Sequence, residues 1–249
     1  MSLRALAEAA GGIVTAQAIG KYERDEDMPR SSVLIALSDA LDVPVDYLMG
    51  QDELELEGVE FRKAASASAK EEARIRARTL TQVQRYLVIE GLLNLSSQDW
   101  DAPRTAPYPV FEPRDAEAAA RSVRADWQLG NDPIPMLAEL LEEHGIKVIS
   151  FESEHIDGLA AEVRRNGNDQ ARVIVIRKDI WGERKRFSLA HELAHMVLRV
   201  ERDVDGEVAA NRFAGAFLVP AEVLRQEIGT HRKDISIAEL LALKTRFGV

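Results

Sequence analysis

The sequence predicts an α+β protein that is mostly helical, and three observations carry that expectation. Apolar residues recur at helical spacing through most of the chain. Strand-like runs cluster between residues 146 and 177, where IKVISF (146–151), LAAEV (159–163) and ARVIVIR (171–177) follow one another. No apolar run approaches the roughly 18 residues of a membrane-spanning helix.

Residues 1–50 read as short helices. Leu3, Leu6 and Ala10 share one face before Gly11-Gly12. Thr15 caps a second helix that turns Ile19 and Tyr22 inward. Pro29 breaks the chain, and Ser31 or Ser32 caps a third helix carrying Val33, Leu34, Leu37 and Leu41. Residues 51–58 (QDELELEG) read as an acidic linker and 60–95 as helix throughout. Four prolines within 98–113 (Pro103, Pro107, Pro109, Pro113) read as an extended linker or domain boundary. Beyond it, helices are expected at 114–128 and 134–144. The three strands follow, with a hairpin turn at 166–169 (NGND). Further helices are expected at about 184–199, 207–218 and 236–246. The domain division read from this is 1–50, 51–113 and 114–249.

Composition narrows the chemistry. The 249 residues carry 32 Lys and Arg against 42 Asp and Glu, a formal net charge of −10, and no cysteine. Disulfides, thiolate metal sites and cysteine nucleophiles are excluded. The missing cysteine and the absence of a secretory signal fit a cytoplasmic protein with no membrane partner. The acidity opposes broad electrostatic binding of nucleic acid, so any DNA contact must be local. A metal site must be built from carboxylates and the five histidines His144, His155, His191, His195 and His231.

Two of those histidines have metal spacing. FSLAHELAHMVL (187–198) contains His191-Glu192-Leu193-Ala194-His195, an H-E-x-x-H motif. Positions i and i+4 share a helix face, so both imidazoles can reach one ion. Glu192 lies about 100° round the helix. It reaches the coordination position where water binds, and serves there as general base. The rest of the helix is apolar. Two imidazoles and a carboxylate buried on it are costly without a partner, and a metal supplies one.

A hydrolytic zinc site needs a third protein ligand and one open position. Glu201, Asp203, Asp205, Glu207, Glu222 and Glu227 follow the motif. Glu207 is preferred because it starts the next helix, EVAANRFAGAFLVP, which should pack back on the first. Asn211 lies four residues on, on the same face. This E-x-x-x-N array is similar to the E-x-x-x-D arrangement of gluzincins, where the i+4 residue orients a liganding His. Against this, an acid at a helix N-terminus is also favoured by the macrodipole alone. His231, in the polar loop GTHRKD, is read either as a transition-state hydrogen-bond donor or as a solvated histidine. His144 is read as a helix-end residue, and His155 is given no role. Arg184, Lys185 and Arg186 could hold a substrate carboxylate, against the plainer reading of a solvated basic face.

The run ERKRFSLAHELAHMVL with EVAANRFAGAFLVP resembles the ImmA/IrrE family of zinc metallopeptidases, as does the upstream pattern DPIPMLAELLEEHGIKVISF, IDGLAAEV and RVIVI. The resemblance covers roughly 114–249. It implies a zincin-like, gluzincin-type domain with a small β-sheet and one zinc ion per chain. His191, His195 and Glu207 would be the ligands and Glu192 the catalytic residue. It also implies a substrate: family members cleave, or promote cleavage of, helix-turn-helix repressors.

Residues 1–50 resemble an XRE-type, lambda-repressor-like helix-turn-helix. LRALAEAAG looks like its second helix and TAQAIGKYERDEDMP its recognition helix and following turn; SSVLIALSDALDVPVDYL looks like the rest. The segment FRKAASASAKEEARIRARTLTQVQRYLVIEGLL resembles the connector usual in such combinations. The chain departs from the family pattern at both ends. It starts almost at the second helix of the motif, and it stops at RFGV, where relatives continue for a helix or more.

Residues 1–50 hold Arg4, Lys21, Arg24 and Arg30 against Glu8, Glu23, Asp25, Glu26, Asp27, Asp39, Asp42 and Asp46, a net −4. That is a poor footprint for phosphate contacts. The recognition helix nonetheless offers Thr15, Gln17 and Lys21 outward, and Gln17 suits an adenine edge. The competing reading is a module kept for homodimerisation or for docking a repressor.

Two functions follow from the sequence. One is a zinc-dependent endopeptidase that cleaves a helix-turn-helix repressor or antitoxin and so controls transcription at a stress-response, mobile-element or toxin–antitoxin locus. The other is a DNA-binding regulator or antitoxin whose metal domain is a sensor or scaffold with little peptidase activity.

Overall fold

A computed structural model describes residues 1–43, 45–49, 54–63, 68–93, 95, 100–152, 156–165, 168–229, 231 and 234–249. The chain forms two compact units. One comprises Met1–Leu56, Ser66–Ser96 and Val163–Asp169; the other comprises Glu57–Ala65, Ser97–Glu162 and Gln170–Val249. The mostly helical α+β class is borne out.

The first unit is built from α1 (Leu3–Ala9), α2 (Ala16–Glu23), α3 (Ser31–Leu41), α4 (Val45–Leu48) and the long α5 (Ala69–Leu92). Thr15 caps α2 as expected, its hydroxyl oxygen accepting from the Ala18 amide at 3.1 Å. Gly11 and Gly12 both take positive φ in the turn between α1 and α2, where a side chain would be strained. Leu6, Ala10, Val14, Ile19, Val33 and Leu37 form the core, with Leu3, Tyr22 and Leu41 packed on its margin. Neither Ser31 nor Ser32 caps α3. Arg30 is the cap, and it works through its backbone: its extended conformation aims the carbonyl at the amides of Val33 and Leu34, both at 2.9 Å. Asp42 closes α3 in the left-handed region, and its carboxylate pairs with Arg74 and Arg78 of α5.

Residues 54–63 correct the reading of a linker followed by helix. They form strand β1 (Leu54–Lys63). The cause is visible in Leu54-Glu55-Leu56-Glu57, an alternation of period two: Leu54 is buried while Glu55 and Glu57 are exposed. Helix begins only at Ala69.

The second unit contains β2 (Tyr108–Val110), α6 (Asp115–Asp126), α7 (Leu137–Glu143), β3 (Ile146–Phe151), β4 (Ile156–Arg165) and β5 (Asn168–Arg177). These are followed by α8 (Gly182–Val197), β6 (Leu198–Val200), α9 (Gly206–Leu218), α10 (Ala221–Ile228) and α11 (Ile237–Phe247). The four-stranded sheet runs β1-β4-β5-β3. β3 and β5 are parallel, from Ile146 opposite Arg172 to Phe151 opposite Arg177. The three expected strands are all present. Part of the expected NGND turn, residues 166 and 167, lies outside the described residues, as does His155.

Within the proline-rich segment Tyr108–Val110 is strand and packed, while Phe111 is exposed. Val110 is fully buried and Tyr108 nearly so. β2 pairs in parallel with β6, and the Asp115 carboxylate accepts from the amides of Phe111 and Glu112 at 2.9 and 3.0 Å. Pro109 sits in a two-stranded ribbon, where its missing N–H costs little. α7 is shorter than expected because Pro133 and Pro135 keep the preceding residues out of the helix. α10 is absent from the sequence reading, although Pro220 stands at its N-cap position.

The core sits between α6, α8 and α9. Ala190 and Ala194 of α8, and Ala210 and Ala214 of α9, repeat at i and i+4 and are buried, which lets the two backbones approach closely. Phe213 and Phe217 stack with centroids 5.5 Å apart. Arg124 is buried beside them. It donates to the carbonyls of Phe217 at 2.6 Å, Asp132 at 2.6 Å and Gly130 at 2.8 Å. Burial lowers its pKa from the ordinary value, and the carbonyl dipoles hold the charge.

Candidate metal centre

The centre is assembled by two helices of the second unit. α8 places His191, Glu192 and His195 on its inward side; His191 and Glu192 are fully buried and the His195 side chain is 11% exposed. α9 supplies the third candidate ligand, Glu207, from its first turn. Its N-cap Asp205 accepts from the amides of Glu207 at 2.9 Å and Val208 at 3.2 Å, which sets where Glu207 leaves the helix.

Three side chains converge. His191 Nε2 lies 3.1 Å from His195 Nε2. Glu207 Oε2 lies 3.4 Å from His191 Nε2, and Glu207 Oε1 lies 3.5 Å from His195 Nε2. Ligands held about 2.05 Å from one ion at tetrahedral angles are about 3.35 Å apart. The 3.1 Å between the two imidazole nitrogens lies close to that value, and one carboxylate oxygen of Glu207 lies near each of them. Two imidazole nitrogens and one carboxylate form an N/O donor set that could hold a metal ion.

Asn211 completes the support. Its amide oxygen lies 3.0 Å from His191 Nδ1. With that oxygen as acceptor, Nδ1 carries the proton and Nε2 carries the lone pair that a metal requires. Glu207 and Asn211, one turn apart on α9, thus both face the two histidines.

Of the other residues read from the sequence, Arg184, Lys185 and Arg186 do not act together. Arg184 pairs with Asp157 of β4 at 3.3 Å. Arg186 donates to the carbonyls of Ile134, Pro135 and Phe247, and so ties the C-terminal helix to the body of the unit. His231 is exposed in a turn between α10 and α11. His144 stacks on Trp127 at 4.0 Å and bonds Asp101 at 2.9 Å, a structural contact at the end of α7. In the first unit, Gln17 and Lys21 are both exposed on α2, one turn apart, while the Thr15 oxygen is engaged as the cap.

The sequence reading passed over Gly158. This β4 glycine stands against the Glu192 side chain. A signal was present: IDGLAAEV places a glycine inside a strand-like run, which marks close approach of another group.

Residues 141–249 match the peptidase M78 family model, described as the IrrE N-terminal-like domain, and residues 1–48 match the model described as helix-turn-helix. The chain thus combines an N-terminal helix-turn-helix domain with a C-terminal IrrE-like peptidase domain, as the resemblances implied. No curated protein and no solved structure matches it. Among the described residues, no helix is long and apolar enough to cross a membrane.

Proposed function

We propose that the chain is a zinc-dependent endopeptidase whose substrate is a helix-turn-helix repressor or antitoxin, and that it controls transcription in the cytoplasm. The observation that carries the reading is the convergence of His191, His195 and Glu207 at separations of 3.1 to 3.5 Å, with Glu192 buried beside them. Zinc bound by these three residues would polarise the scissile carbonyl and acidify a water molecule. The chain's own groups do the rest. His191 and His195 present neutral nitrogens, and the Asn211 oxygen holds the His191 tautomer. Glu192 accepts the proton of the attacking water on a carboxylate oxygen and then delivers it to the leaving amide nitrogen. Small residues on α8 and α9 let the two helices that carry these groups pack closely, with Glu192 buried and Glu207 exposed.

The test uses the zinc-loaded full-length chain and a peptide library prepared from the host proteome, with new N-termini read by mass spectrometry. Glu192→Gln should bind metal as the wild type does and cut about 10²- to 10⁴-fold more slowly. Equal rates for the two proteins would refute the mechanism. No cleavage by the wild type would favour the second reading, a DNA-binding regulator with a metal scaffold, which the exposure of Gln17 and Lys21 supports.

A further inference from the structure

Gly158 is the wall against which the Glu192 carboxyl is set. A Cβ built on Gly158 would stand 2.5 Å from Glu192 Oε1, 3.0 Å from Cδ and 3.2 Å from Cγ. The three nearest atoms all belong to one side chain. The backbone of Gly158 is not in the left-handed region, so any residue could adopt its conformation. Space alone explains a glycine at this point. Its neighbours along β4 show that the strand otherwise accepts side chains in the interior: Leu159, Ala160, Ala161 and Val163 are all buried.

We infer that Gly158 is a positioning residue for hydrolysis: the bare backbone of β4 lets the Glu192 carboxyl occupy the place from which it reaches the water. The inference rests on the general-base role proposed for Glu192. A methyl group at 158 needs about 3.4 Å from a neighbouring oxygen or carbon, so the carboxyl must move by roughly 0.9 Å. Glu192 has no exposed surface to move into. A misplacement near 1 Å at a reacting group costs on the order of 10²-fold in rate. The metal ligands are not among the three atoms nearest to the added carbon, so metal binding should be spared.

The test is a cycle on the full-length chain. Gly158→Ala should lower kcat about 100-fold on the best-cut peptide of the library, with KM and zinc affinity unchanged. It should also lower Tm in the wild-type background and not in the Glu192→Ala background, where the space is already open. If Gly158→Ala alone fails to fold, recovery of the fold in the double variant supports the contact. An equal loss of Tm in both backgrounds, or no recovery, overturns it. So does an unchanged kcat in Gly158→Ala when Glu192→Gln is inactive. The thermal arm does not depend on cleavage, so failure of the general-base reading leaves it able to decide on the contact.

Discussion

Asn211 illustrates how much a residue outside the ligand set decides. It is exposed on α9, so replacing it removes little packing. Its amide oxygen faces His191 Nδ1. Asn211→Ala should therefore leave Tm of the metal-free protein nearly unchanged and weaken zinc binding about 10- to 100-fold, measured by competition with a chromogenic chelator. Unaltered affinity would show that the tautomer of His191 is held by something else. The two histidines and Glu192, and likewise Glu207 and Asn211, were legible in the sequence as spacings of one or four residues along a helix, and the two sets were joined by the expectation that the second helix packs back on the first. Gly158 was not singled out, because its contact with Glu192 spans a strand and a helix that are far apart in sequence. Arg186 was ambiguous for the same reason. A basic residue before the motif looks the same whether it faces solvent or, as here, bonds the Ile134, Pro135 and Phe247 carbonyls.

At the level of elements, α2 is the one with a function to test. Gln17 and Lys21 present an amide and an ammonium on its exposed side, within a domain that carries four basic residues against eight acids. Such a helix can add one phosphate contact and one base contact but little general attraction. On operator DNA of its own locus, Lys21→Ala should weaken binding at all sequences alike and reduce the salt slope by about one. A shift assay at low salt that shows no sequence-specific complex for the wild type would sink the DNA reading. The long helices were read correctly where apolar periodicity spans several turns, as in α8 and α9. The misread elements include two strands. β1 was hidden because the acidity of residues 51–58 outweighed their alternation. β2 was hidden because prolines mark extended backbone without saying whether it is packed.

For the molecule as a whole, the candidate metal centre lies within one unit. Among the described residues, the only group of His, Asp and Glu with metal geometry is the one in the second unit. Zinc free at 100 times its dissociation constant adds about 2.7 kcal/mol of stability to whatever must unfold to release it. Chelation should accordingly speed amide exchange through α8 and α9 and leave α1 to α3 unchanged, read by mass spectrometry. Faster exchange spread evenly over both units would contradict a centre confined to the second.

The placement of β1 bears on any attempt to separate the two halves. Residues 57–63 are chemically part of the stretch that follows the helix-turn-helix, yet they form the outermost strand of the sheet that holds Gly158. A fragment cut to begin at residue 114 would keep every metal ligand and lose that strand. β4 would then carry a row of unpaired amides and carbonyls, the kind of edge that recruits other chains and aggregates. The excised peptidase would have its chemistry intact and its sheet open, and poor solubility of such a fragment would say nothing about its active site.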